Sequence, residues 1–291
     1  MFDTSEVLVR RAGVAPGARR PALLSRLVRR PAGVVGLAGT LLVVGLGLIG
    51  PMIAPHDPFA VDGPSLAAPS WSYPMGTDAL GRDLFSGVLH GARTSLVVAA
   101  GVAAIVLVAG LAVGLVAGYR GGWVDDVLMR ITEAFQVLPR FFFALVVLAF
   151  FGPGLDRLVI LLGATSWPLL ARVVRADVFA LRGREFVDAA RVAGASDTRI
   201  VLREVLPHAV SAAVAVLGLV IAQVILLEAG LAFLGLGDPN ALSWGTLASE
   251  AQRYLRVGWW LSVFPGAAIL LTVLSWNLLG DGLTDAGSVR R

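Results

Sequence analysis

The chain has 291 residues, of which 57% are hydrophobic and 15% charged, with a net charge of +4 and a mean hydropathy of +0.80. This composition is too apolar and too sparsely charged for a water-soluble domain of this length, and it indicates an integral membrane protein. The absence of cysteine excludes disulfides, thiolate metal sites and cysteine nucleophiles. The three histidines, His56, His90 and His208, lack metal-ligand spacing, so no metal site is expected.

All 24 basic residues of the chain are arginine, and lysine is absent. A Walker A phosphate-binding loop requires lysine, so any ATP that this protein uses must be bound by another subunit. The sequence also offers no convergent nucleophile, acid–base pair or metal site, so we do not expect an enzyme, and we expect this chain to bind no cofactor.

The apolar residues fall in long runs and do not alternate, which predicts membrane-spanning helices and an all-α fold. The divisions that we predict are a basic N-terminal tail, a first transmembrane helix, an outer loop with an interfacial helix, a core of five transmembrane helices, and a C-terminal tail, at residues 1–33, 34–54, 55–92, 93–280 and 281–291. Within the outer loop, the interfacial helix is predicted at residues 84–96.

The five helices of the core are predicted at residues 95–118, 128–152, 158–174, 209–233 and 258–280. In the first of them, Gly110 and Gly114 predict close packing against another helix, with an ordinary small-residue content as the alternative. In the second, Arg140 follows Pro139 and either snorkels to the membrane surface or lies at a kinked turn that faces a pore. No internal repeat is visible.

Arginine is distributed unevenly between the two sides of the predicted membrane. Seven arginines lie in the N-terminal tail and seven between Arg172 and Arg203, whereas the loop at 55–92 is rich in aspartate. By the positive-inside rule, both termini and the 172–203 region face the cytoplasm. The basic tail either binds anionic lipid or enforces this orientation.

A charged island from Arg184 to Pro207, within the loop 177–207, separates two apolar spans, and we call it the charged segment. Read as a helix, its first half has one apolar stripe formed by Phe186, Ala189, Ala190 and Ala193. Charged residues that can form ion pairs fall on the opposite face: Arg184, Asp188 and Arg191. Gly194 ends this helix, and Ser196 or Asp197 caps a second helix that runs to Leu206, before Pro207. A solvated loop is the alternative.

The charged segment resembles the cytoplasmic loop of ABC transporter permeases. The family pattern is Glu-Ala-Ala, three residues, Gly, and about a dozen residues ending in Leu-Pro; here Asp188 replaces the glutamate, and Gly194 and Leu206-Pro207 follow at the family's spacing. The resemblance implies a pair of coupling helices that contact an ATPase. The residues to which it assigns this contact are Arg184, Glu185, Asp188, Ala189, Ala190, Arg191 and Gly194.

Three further regions resemble the dipeptide/oligopeptide/nickel branch of that family, in particular its C-type permease. They are residues 76–83 with 91–96, residues 228–237 with 243–245, and residues 264–266 with 277–283. Four motifs in the family's order cover nearly all of the chain beyond the basic tail. We therefore identify the chain as a member of this branch.

The resemblance implies one half of a translocation pore in a bacterial inner membrane, with import by alternating access. Its expected partners are a second homologous permease forming a heterodimer, two ATPase subunits or one fused ATPase that bind ATP and Mg²⁺, an extracytoplasmic binding protein, and membrane lipid, but no nucleic acid. The first expectation for the substrate is a dipeptide or short oligopeptide, although this chain does not determine it. The alternative is a stand-alone secondary transporter or channel, and only Glu228 favours that reading.

Two smaller groups of polar residues complete the candidate sites. Gln223 and Glu228 lie in or at the end of a span, where polar side chains are costly, and they are candidates for a pore or gate. Asp78, Arg82 and Asp83 are candidates for an ion-paired outer cap or for contact with a binding protein; a purely structural turn is the alternative.

Overall fold

The computed structural model describes residues 27–28 and 30–288, with side chains up to residue 285, so most of the predicted basic tail lies outside the described residues. The helices are α1 (Pro31–Ile53), α2 (Leu84–Arg120), α3 (Gly122–Val137), α4 (Arg140–Phe151), α5 (Leu155–Leu181), α6 (Glu185–Val192), α7 (Asp197–Ile200), α8 (Leu206–Leu231), α9 (Trp244–Ala251) and α10 (Trp260–Ser288). Two π-helical turns, Val201–Val205 and Ala232–Leu236, flank α8, and a 3-10 turn, Gln252–Tyr254, follows α9.

Over these described residues the chain forms no β-strand, only one isolated bridge between Thr77 and Asp83. Five helical stretches are long and apolar enough to cross a membrane: α1, α2, α5, α8 with its flanking turns, and α10. A sixth crossing is counted if α3 and α4 form one bent span. The prediction of an all-α protein with several membrane spans is therefore confirmed.

The third predicted span, 128–152, is not one straight helix. The axes of α3 and α4 differ by 73°. Proline forces its preceding residue out of the helical region, and Leu138 is accordingly extended, with a ψ of 121°. Pro139 then caps α4 with a φ of −63°, so Arg140 lies directly at a kinked turn, where it is half-buried.

Two predicted boundaries inside the chain do not exist in the structure. The segment 84–96, predicted as a separate interfacial helix, is the first third of α2, because no proline interrupts this stretch. With 37 residues α2 is about 55 Å long and exceeds the hydrocarbon core of a bilayer, which is about 30 Å. Likewise, α10 continues through Gly280 to Ser288 and includes most of the predicted C-terminal tail.

The close packing predicted from Gly110 and Gly114 is present between α2 and α5. A Cβ atom added to Gly110 would lie 2.8 Å from Leu170, and one added to Gly114 would lie 2.7 Å from the carbonyl oxygen of Ala171. Gly118 continues the series one turn later against Val178. Each glycine removes a side chain where the two backbones meet, so α2 and α5 form the centre of the largest hydrophobic core.

Candidate functional site: the charged segment and the loop cap

The first half of the charged segment is the two-turn helix α6. Its N-cap is Arg184, and the side chain that packs inward is Val187, which is fully buried. Val187 was not part of the predicted apolar stripe, of which only Ala190 is partly buried. Ala189 and Ala193 face solvent, while the ring of Phe186 stacks on that of His208 at a centroid distance of 5.7 Å, so the structure leaves the alanine surface open.

The predicted turn at Gly194 is present and has a defined geometry. Gly194 has a φ of +79°, the left-handed region that glycine adopts without steric cost. Its N–H donates to the carbonyl of Arg191 at 2.9 Å, and the N–H of Ala195 donates to the carbonyl of Ala190 at 3.0 Å. This pair of bonds is the Schellman motif that ends helices. The hydroxyl of Ser196 then accepts from the N–H of Arg199 and caps α7.

The second predicted helix does not stop at Pro207. A proline in a helix lacks the N–H that would bond four residues back, and here the π-helical turn Val201–Val205 precedes it, with the N–H of Leu206 bonded five residues back to Val201. The helix therefore runs from α7 into α8 without a break. Ile200 and Val205 are fully buried along this stretch and hold it against the core.

The charged residues predicted to contact an ATPase lie on the exposed side of α6. Arg184, Glu185 and Asp188 are all exposed. Arg191 donates to Asp188 at 3.1 Å, but both side chains are about half exposed, so this pair contributes little to stability. The hydrogen bond with Tyr119 raises the pKa of the Arg191 guanidinium above its ordinary value, and the charges of nearby carboxylates add to that effect.

Tyr119, at the end of α2, contacts the charged segment from outside it. Its hydroxyl donates to Oδ1 of Asp197 at 2.6 Å. Its carbonyl oxygen accepts from Nη1 of Arg182, at the end of α5, at 3.3 Å. Arg182 lies over Gly121, where an added Cβ would be 2.6 Å from the same Nη1. No pattern in the sequence marks Tyr119, since it precedes only a turn with two adjacent glycines, Gly121 and Gly122.

An ion pair between α3 and α5 lies near this end of the molecule and was also missed. Arg175 donates to both carboxylate oxygens of Asp125 at 2.5 and 2.6 Å. Asp125 is buried, with an exposed fraction of 6%. Fifty positions separate the partners, and the only signal in the sequence was a carboxylate and an arginine that each interrupt an apolar stretch.

At the other end of α2, residues 55–83 and α9 form a compact structure that we call the loop cap. Arg82 donates to Asp78 at 2.5 Å and to Glu250, on α9, at 2.7 Å. Burial lowers the pKa of the Arg82 guanidinium, but the hydrogen bond to Asp78 and the charge of Glu250 together raise it above its ordinary value. A cavity of about 420 Å³ lies between the loop and α9, and Arg82, Glu250 and Arg253 line it.

The three predicted residues of this region have different positions. Asp78 and Arg82 form the ion pair, whereas Asp83 is 3% exposed and does not take part in it. Asp83 is the N-cap of α2: it accepts from the N–H of Ser86 at 3.1 Å and from its hydroxyl at 2.6 Å. His56 lies 3.3 Å from the same carboxylate. The loop cap is thus attached directly to the start of α2.

Glu228, near the end of α8, is buried with an exposed fraction of 3%. The hydroxyl of Ser95, on α2, donates to its Oε2 at 3.3 Å and accepts from the N–H of Trp244, on α9, at 3.5 Å. Glu228 therefore joins three helices beneath the loop cap. α9 approaches closely here, since a Cβ added to Gly245 would lie 2.6 Å from Ala229.

Gln223 lies one and a half turns before Glu228 and is not close to the other candidate residues. Its side chain is half-buried and makes no hydrogen bond with the part of the chain that the structure describes. It shares the more exposed side of α8 with Leu219 and Leu226. Among the described residues there is no cluster of three or more possible metal ligands.

Comparison with known proteins gives two family matches. Residues 110–288 match the binding-protein-dependent transport system inner membrane component, and residues 22–69 match the N-terminal TM domain of oligopeptide transport permease C. These matches agree with the resemblance drawn from the four sequence motifs, and confirm it.

Relatives of this chain match over most of its length. The chain is 38% identical over 262 residues to a protein of Brucella suis biovar 1 named for a peptide transport system permease, covering 89% of this chain and 88% of that one. It is 38% identical over 259 residues to the di/tripeptide transport system permease protein DppC of Pseudomonas aeruginosa, covering 86% of each. Because the family match covers more than half of the chain and these relatives cover most of it, the chain belongs to the inner membrane components of binding-protein-dependent transport systems.

Proposed function

We propose that this chain is one of two pore-forming permease subunits of an ATP-driven importer for dipeptides or short oligopeptides. The observation that carries this proposal is the exposed surface of α6, in a chain of this family. The substrate class follows the names of the relatives, which are peptide and di/tripeptide permeases. The chain itself has no catalytic role; ATP and Mg²⁺ bind to its partners.

The charged segment supports a mechanical role. Val187, Ile200 and Val205 fix it to the core from below, while Ala189 and Ala193 leave a shallow surface that a groove on another protein can approach closely. It is joined to α5 at one end and continues into α8 at the other. Closure of an ATPase pair on α6 would therefore move two membrane-spanning helices, which is the movement that alternating access requires.

The partners that complete the importer are a second, homologous permease, two ATPase subunits or one fused ATPase, and an extracytoplasmic binding protein. The arginine distribution supports an orientation with the termini and the charged segment in the cytoplasm and the loop cap outside. In this arrangement the ion-paired Asp78 and Arg82 stiffen the surface on which the binding protein docks. Gln223 is the remaining candidate for a pore-lining side chain, and Glu228 has the structural role that its hydrogen bonds favour.

Replacement of Gly194 by valine tests this proposal. A residue with a Cβ in the left-handed region is disfavoured by about 1–2 kcal/mol, and the space around Gly194 is open, so the change acts on the turn alone. We expect Gly194→Val to reduce ATP-dependent peptide uptake by about five- to thirtyfold, the ratio that corresponds to this energy, with normal amounts of protein in the membrane.

Gly183→Val is the matched control. Gly183 is also exposed and has open space around it, but it has no positive φ. It lies just before α6, whereas Gly194 lies just after it. The uptake of this variant should equal that of the wild type. Unchanged uptake in Gly194→Val, measured in the same cells, would contradict the proposed role of the charged segment.

A further inference from the structure

Tyr119 is the point at which both sides of the charged segment meet α2. On one side, Arg182 follows α5 and donates to the Tyr119 carbonyl. On the other, Asp197 begins α7, and thus the helix that becomes α8, and accepts from the Tyr119 hydroxyl. Tyr119, which lies on α2, is therefore bonded to the chain on both sides of α6: to Arg182 before it and to Asp197 after it.

The turn between α2 and α3 does not by itself hold the end of α2 in place. Gly121 and Gly122 follow α2 directly, with φ values of +65° and +56°. Two glycines in the left-handed region permit large backbone rotations, and an added Cβ on Gly122 would touch nothing within 4 Å. The end of α2 is thus positioned mainly by its packing against α5, and Tyr119 adds a hydrogen bond to the charged segment.

The other end of the same helix carries the loop cap. Asp83 is the N-cap of α2, and Ser95, three turns later, donates to Glu228 beneath α9. Because α2 is one uninterrupted helix of 37 residues, a displacement of Tyr119 is carried along its full length. The helix joins the loop cap and the charged segment, which lie about 55 Å apart along its axis.

We propose that Tyr119 is a positioning residue whose hydrogen bond to Asp197 makes α2 follow the charged segment, so that the two ends of the molecule move together. This inference rests on the proposed function. It adds a third helix to the two that are joined to the segment through the chain. By linkage, occupation of the loop cap then acts on the charged segment through the same helix.

Tyr119→Phe removes the hydroxyl and keeps the ring, and should be measured in the complete reconstituted transporter. We expect basal ATP hydrolysis within about twofold of the wild type, while peptide transported per ATP falls at least about fivefold, the effect of losing the interactions of the Tyr119 hydroxyl with the charged side chains of Asp197 and Arg191. Because a simple folding defect lowers the amount of complex and both activities, the transport-to-hydrolysis ratio separates the two explanations.

Asp197→Ala and the double variant complete the cycle, because alanine, unlike asparagine, removes the acceptor of the Tyr119 hydroxyl. If Asp197 acts through its bond to Tyr119, the double variant loses no more transport per ATP than Tyr119→Phe alone. Tyr73→Phe is the control, since the Tyr73 hydroxyl makes no hydrogen bond with the described residues and its ring stacks on His56 in the loop cap. Wild-type transport per ATP in Tyr119→Phe, or additive losses in the double variant, would overturn the proposal.

A distance measurement tests the same idea without altering Tyr119. Because the chain has no cysteine, spin labels can be placed at Arg120→Cys and Val192→Cys, two exposed positions on α2 and α6, without background from this chain. We expect the same distance distribution in the nucleotide-free and ATP-trapped transporter. A shift between these states would refute joint movement.

The failure of this inference can be told apart from the failure of the proposed function. If Gly194→Val uncouples uptake while the Tyr119 tests fail, only this inference is refuted. If Gly194→Val is also neutral, the proposed function is refuted with it.

Discussion

The packing of α2 against α5 allows a quantitative test at Gly114. A Cβ added there would lie 2.7 Å from the carbonyl oxygen of Ala171 and 2.7 Å from Cβ of Val174. An ordinary contact is about 3.5 Å or longer, so Gly114→Ala would force the two helices apart by roughly 0.8 Å. A backbone carbonyl and a Cβ cannot rotate away, so the helices themselves must move.

Two opposing effects determine the stability of Gly114→Ala. Alanine is favoured over glycine inside a helix by about 1 kcal/mol. Overpacking of a close interface costs about 1–3 kcal/mol, and the upper end applies here because main-chain atoms form part of the obstacle. We expect a net loss of about 2 kcal/mol, equivalent to a melting temperature lower by about 4–8 °C.

Gly45→Ala provides the matched control, because Gly45 is also inside a membrane-spanning helix and an added Cβ would meet no atom within 4 Å. Only the helix preference acts there, so Gly45→Ala should melt at or slightly above the wild-type temperature. The assay is thermal unfolding of the purified protein in one detergent. A melting temperature for Gly114→Ala equal to that of Gly45→Ala would refute the close approach of α2 and α5.

Two further predictions concern Glu228 and the orientation of the chain. Glu228→Leu should destabilise the protein by about 2 kcal/mol, since the buried hydroxyl of Ser95 loses its acceptor, while Glu228→Gln should remain within about 1 kcal/mol of the wild type. Equal melting temperatures of the two variants would contradict the structural role of Glu228. A membrane-impermeant maleimide should label Trp71→Cys in intact cells and Val192→Cys only after permeabilisation, because both positions are exposed and the proposed orientation puts them on opposite sides of the membrane. The reverse pattern would contradict this orientation.

Local chemistry accounts for what the sequence predicted correctly about the charged segment. Gly194 is the one residue there that adopts a left-handed conformation without cost, and Ser196 is a common N-cap, so the bend depends on neighbouring residues alone. The presence of Pro207 also predicted that the second helix ends there, and this prediction was wrong. There the π-helical turn before the proline accommodates the missing donor, and buried Val205 holds that turn against the core.

At Pro139, in contrast to Pro207, the proline does break the helix. Leu138 and Pro139 are exposed, and no buried side chain holds the helix together across them. The extended conformation that proline imposes on Leu138 therefore separates α3 from α4. Whether a proline breaks a helix is decided by the packing around it, which no local pattern reports.

The sequence by itself determined the membrane class, the approximate spans, the exposed charged segment and the family, because these depend on apolar runs, on charge and on short motifs. Only the tertiary structure decided which side chains meet. The bond from Tyr119 to Asp197 joins residues 78 positions apart, and that from Arg175 to Asp125 joins residues 50 positions apart. Such contacts form because packed helices bring their ends together, and the position of one partner in the sequence carries no information about the other.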